Sequence, residues 1–124
     1  MKTKYSTNGE VLIAGSRKEL KTLSEDIYMF LDSKNEITKL TLTTDYDPYE
    51  QAIKYLKLSK SSENKIEIEK GILIFTGQKE FFESLAKNLP YDAKETPYHI
   101  HYDSISFPQF LTPEAPEIVF EATH

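Results

Sequence analysis

The chain has 124 residues, 39% of them hydrophobic and 28% charged, with a net charge of −5; that is the size and make-up of one globular domain with a single core. The lack of cysteine excludes a disulfide framework, a thiol nucleophile and a cysteine-ligated zinc site. No apolar run approaches the roughly 20 residues of a membrane-spanning helix, and the polar opening MKTKYSTNGE lacks the apolar stretch of a signal peptide, so the cytoplasm is the expected compartment.

In chain order, Met1 to Asn8 reads as a loose leader. After a turn at Gly9-Glu10, Val11 to Ala14 reads as a short buried strand. Gly15-Ser16 then opens a helix, with Ser16 as N-cap and Glu19 three residues on, the pattern of a capping box. Leu20, Leu23, Ile27, Phe30 and Leu31 recur at helical spacing and form one apolar stripe. Ile37 to Thr43 is rich in β-branched residues and predicts a strand. Asp47-Pro48 predicts the start of a short helix over 48–55, followed by a strand near 56–60.

Lys65 to Asp103 is the most legible stretch. Charged and apolar residues alternate through Ile66, Glu67, Ile68 and Glu69, turn at Lys70-Gly71, and resume as Ile72 to Phe75, which predicts a hairpin. A break at Thr76-Gly77 leads into a helix with Phe81, Phe82, Leu85, Ala86 and Leu89 on one face, stopped by Asn88 and Pro90. The return strand follows at His99 to Asp103. Three prolines then make Phe107 to Pro116 a loop, before a last strand at Glu117 to Glu121 and a frayed end at 122–124. The unit around Val11 and Lys18 lines up at constant offset with that around Ile72 and Lys79. Few identities support this βα pseudo-repeat, so convergence on a stable unit is the preferred reading. The whole predicts a single α+β domain, a mixed or mainly antiparallel sheet with two to three helices packed on one face.

Candidate chemistry is sparse. Residues 1–60 carry ten basic and nine acidic side chains, whereas 61–124 carry five and eleven, and no Lys or Arg follows Lys94. That balance disfavours nucleic acid and suits either a basic protein partner or a solvated acidic rim that keeps the protein in solution. Glycine-rich phosphate loops and a nucleophile elbow are both missing, so neither a cofactor nor an enzymatic reaction is expected. His99, His101 and Asp103 share one strand face by their period of two and could ligate a divalent metal; the reading preferred over a metal is a polar row facing solvent or a partner. Tyr98, His99, His101, Asp103, Phe107, Phe110, Glu114 and Glu117 interleave aromatics with charge, as a surface for a basic protein would. The competing explanation for the aromatics is completion of the core.

From Lys65 onward the layout resembles a family of small α+β immunity proteins of bacterial polymorphic-toxin and contact-dependent inhibition systems. The likeness lies in the hairpin ending ILIFTG, the helix KEFFESLAKNL, the strand HIHYD and the loop LTPEAPEIVF. The resemblance implies a non-enzymatic antidote, a monomer or weak homodimer that binds the C-terminal domain of a cognate toxin and covers its active site or an adjacent exosite. A nuclease toxin, with its basic cleft, would match the acidic second half. A small metal-binding enzyme or sensor and a self-associating accessory domain are the alternatives.

Overall fold

The computed structural model describes residues 1–44 and 51–124. Among these the elements run β1 (Lys2–Tyr5), β2 (Glu10–Gly15), α1 (Arg17–Asp32), β3 (Ile37–Thr41), β4 (Tyr55–Lys60), β5 (Lys65–Glu69), β6 (Ile72–Gly77), α2 (Lys79–Asn88), β7 (Tyr98–Tyr102) and β8 (Glu117–Ala122). The class is α+β with mixed sheets and two helices.

Local signals account for most boundaries. Ser16 accepts the Glu19 N–H at 3.0 Å and the Glu19 carboxylate accepts the Ser16 N–H at 3.0 Å, so the capping box starts α1 as expected. Those bonds, with the chain's amino group 2.9 Å away, hold the Glu19 carboxyl below its ordinary range. Lys70 and Gly71 both take positive φ, 49° and 79°, as a two-residue hairpin turn of the primed type requires. Inward positions alternate along the strands: Ile13 and Val11 on β2, Leu73 and Phe75 on β6, and Ile118 and Phe120 on β8 are all buried.

The strands divide between two four-stranded sheets, ordered β1-β2-β8-β7 and β3-β4-β6-β5. In each, the central pair is parallel (β2 with β8, β4 with β6) and the outer pairs are antiparallel. α1 packs on α2, with Phe30 and Phe82 edge to face at 5.9 Å. The two sheets meet in one core where Phe75 of β6 lies 6.0 Å from Tyr102 of β7 and both lie against Phe81. No helix of the described residues is long and apolar enough to cross a membrane.

The halves of the chain have the same topology. Exchanging them, at an offset of 62 positions that carries Gly15 onto Gly77, turns β1β2α1β3β4 into β5β6α2β7β8 and one sheet order into the other. Even single bonds repeat: Thr123 N–H donates to Gly15 O at 2.8 Å, and Ser61 N–H to Gly77 O at 2.8 Å. The repeat is therefore the plan of the whole fold, whereas the sequence suggested only a convergent βα unit.

Three expectations need correction. Lys2–Tyr5 is strand β1 rather than a loose leader, because pairing with β2 turns Thr3 and Tyr5 toward Ile13 and Val11. The end is not frayed from 122, since Ala122 closes β8 and is fully buried. Residues 51–54 are not helical and Tyr55 already belongs to β4; the expected cap at Asp47-Pro48 lies outside the described residues.

Candidate functional site

The outer face of the first sheet gathers most of the charge expected to bind a partner. β7 is an edge strand, and its alternation turns Ile100 and Tyr102 inward and His99 and His101 outward. Strand register then builds lateral rows: Lys4, Leu12, Val119 and His101 lie side by side, and Lys2, Ala14, Glu121 and His99 form the next row. On the other side Glu10 of β2 is paired with Glu117 of β8, and Asp103 lies one step beyond β7 next to Glu117.

Within this face His99 Nε2 lies 3.2 Å from Glu121 Oε1, and His101 Nδ1 lies 3.0 Å from Glu117 Oε1. Asp103 Oδ1 accepts the N–H groups of Ile105 at 3.1 Å and Ser106 at 2.8 Å, which fixes the turn leaving β7. One ligand atom from each of His101, Asp103 and Glu117 lies within 4.8 Å of the others. The set that could hold a metal thus exchanges His99, occupied by Glu121, for Glu117.

The structure separates the remaining site residues. Phe107 stacks on Tyr102 at 4.3 Å and Phe110 tilts against Phe81 at 5.7 Å, so these two aromatics complete the core instead of standing out as anchors. Tyr102 is sealed beneath them, its hydroxyl donating to Ser84 Oγ at 3.1 Å, and burial pushes its phenol up to about 12. Tyr98 has the inward parity but is exposed at the far end of β7. Glu114 lies in the loop before β8, where the Thr112 hydroxyl and its own backbone N–H hold its carboxyl below the ordinary range.

Glu114 and Glu117 also line a cavity of about 660 Å³ between that loop and the edge strand β5, with Glu10, Glu67, Tyr5, Ile66 and Ile68 among its other walls. Sequence reasoning missed Glu121, Glu10 and Glu67. The spacing of Glu117 and Glu121 on one strand face could have shown the first. The other two depend on the parallel pairing of β2 with β8 and on the approach of β5, which no local pattern encodes. Compared with known proteins, the chain matches no family model, no curated protein and no solved structure.

Proposed function

We propose that this chain is a binding protein of the immunity type, which neutralises a bacterial toxin domain by covering a basic region at or beside its active site. The observation that carries the reading is the carboxylate row of Glu10, Glu117 and Asp103, continued by Glu114. Like charges on neighbouring strands destabilise a sheet. Among the described residues no lysine or arginine forms an ion pair with any of the four. Asp103 holds its turn and Glu117 meets His101, but the mutual repulsion of the row is itself a cost to folding, which a cationic partner surface would relieve and be steered by.

The test is binding to the toxin domain encoded beside this protein, followed at rising salt. Affinity should fall steeply with ionic strength, and the triple charge reversal D103K/E114K/E117K should weaken it by about a hundredfold or more. Affinity indifferent to both would remove the reading.

A second reading is favoured by the convergence of His101, Asp103 and Glu117: a divalent cation would supply the same missing positive charge. Elemental analysis separates the two. Stoichiometric metal in the purified protein, lost in H101A, supports the cation; its absence leaves the protein partner.

A further inference from the structure

We propose that the seam between β5 and the loop before β8 is a docking groove for an extended, lysine- or arginine-bearing segment of a partner, which adds to the second sheet along the free edge of β5. This rests on the reading of the chain as a binder of a basic protein, and it names where and how that partner is held.

The inference comes from a break in the repeat. The counterpart of β5 is β1, and the counterpart of residues 113–116 is 51–54. At β1 the seam is closed. Tyr5 N–H donates to Gln51 O at 2.8 Å, and the Thr3 hydroxyl donates to Ile53 O at 2.8 Å and accepts the Ile53 N–H at 2.9 Å; on its other side the same segment is tied to the β5–β6 turn, where Lys54 N–H donates to Gly71 O at 2.8 Å.

At β5 every one of those devices is missing. Ile66 stands where Thr3 does, since Thr3 pairs with Ile13 and Ile66 with the equivalent Phe75, and an isoleucine has no hydroxyl to bond the facing backbone. Pro113 stands where Gln51 does and keeps its carbonyl, yet among the described residues that carbonyl accepts no backbone N–H from β5; on the far side of the segment Pro116 stands where Lys54 does, and proline has no N–H, so Gly9 of the β1–β2 turn receives nothing like the bond Lys54 gives Gly71. The Ala115 N–H, counterpart of the Ile53 N–H, turns back to Thr112 O at 3.0 Å. Among the described residues no backbone hydrogen bond joins β5 to 113–116, and the cavity of about 660 Å³ occupies the gap.

An edge strand left open beside a cleft accepts an added strand, whose main-chain bonds give affinity and whose alternate side chains meet the walls. Here the apolar wall is Ile66 and Ile68, and the charged walls are Glu10, Glu67, Glu114 and Glu117. Among the described residues the groups paired with these walls are His101, 3.0 Å from Glu117, and Lys65, 3.6 Å from Glu67; in both pairs the basic side chain is more than half exposed, too solvated to cancel the field. Alternating apolar and basic residues on the incoming strand would match both walls.

The test is backbone-amide NMR of the intact chain titrated with a capped (Val-Lys)4 peptide, its (Val-Glu)4 counterpart, and a (Val-Lys)4 peptide N-methylated at alternate residues to remove the donors of one edge. The expected result is salt-sensitive binding of the lysine peptide alone, with perturbations concentrated at 65–69 and at Glu114, Ala115 and Glu117, and an affinity about tenfold weaker for E67Q/E114Q and for the N-methylated peptide. Perturbations at His99, His101 and Glu121 instead would overturn the groove while leaving a basic partner in place. Binding indifferent to N-methylation, or none at millimolar peptide, would also overturn it. Binding at β5 by a protein that ignores the neighbouring toxin would keep the groove and remove the immunity reading.

Discussion

The Ser24 hydroxyl, only 3% exposed on the core side of α1, donates to the Ala86 carbonyl of α2 at 2.9 Å. That carbonyl lies in the last turn of its helix, where the N–H four residues on would belong to Pro90, which has none. Ser24 therefore supplies a bond the helix cannot make for itself, and it does so between equivalent positions of the two halves. Ser24→Ala should leave a buried acceptor unpaired and lower the unfolding free energy by about 1–3 kcal/mol, read from urea denaturation. A loss under about 0.5 kcal/mol, the range of an uninvolved surface change, would show that water or a shift of the backbone satisfies the carbonyl. At this scale the sequence is readable in part. Period two alone puts His99 and His101 on one face, and the structure confirms the face. It could not say that their partners are Glu121 and Glu117, because that follows from the register with β8. Phe107 and Phe110 were open to either reading for the same reason: whether a loop aromatic turns outward depends on what lies under it, here Tyr102 and Phe81.

In each half the strand that leads into the helix ends in a glycine, Gly15 of β2 and Gly77 of β6, and the two differ in what surrounds them. A Cβ on Gly77 would meet Phe81 Cδ2 at 2.6 Å and the Asn64 side-chain oxygen closer still. Neither can withdraw, since Phe81 is fully buried and Asn64 Oδ1 accepts the Gln78 N–H at 2.9 Å. A Cβ on Gly15 would meet Met1 Cγ at 2.6 Å and Sδ at 3.0 Å, which belong to a side chain that is only 8% exposed but unbranched and flexible, and so able to shift. Gly77→Ala should therefore cost about 2–3 kcal/mol, as overpacking does, and Gly15→Ala under about 1 kcal/mol. Equal losses in thermal or denaturant unfolding would contradict this account of the β6–α2 junction. Elements whose ends are marked by their own residues, such as α1 with its capping box and the hairpin at Lys70-Gly71, could be read directly. β1 could not, because Lys2–Tyr5 carries two lysines and no apolar run; it is a strand through what it pairs with. The stretch 51–54 misled for the opposite reason. Its apolar spacing fits a helix, but its backbone groups at Gln51, Ile53 and Lys54 are claimed by Tyr5, Thr3 and Gly71.

Across the whole molecule, neither half can complete a sheet. Each sheet takes one hairpin from each half, and its central parallel pair, β2 with β8 or β4 with β6, joins strands of different halves. Such an arrangement was invisible in the sequence, because hydrophobic pattern identifies strands while leaving open which ones pair across so long a separation. It also makes a testable demand. Cutting between Ser62 and Glu63, in the turn that links β4 to β5, yields fragments of a helix and two hairpins each. Two-stranded hairpins are marginal alone in water, so neither fragment should give a folded monomer. Equimolar mixing should restore one 1:1 complex whose amide spectrum overlays that of the intact chain. Its unfolding midpoint should rise with concentration, because association must now offset the translational freedom that the covalent link had already removed. A lone fragment has one other route, a symmetric dimer in which a second copy supplies the missing hairpins, and sedimentation would reveal it by mass. A fragment that sediments as a monomer yet unfolds cooperatively would show that a half closes its own core, and the exchange of hairpins could not then be what holds the fold together.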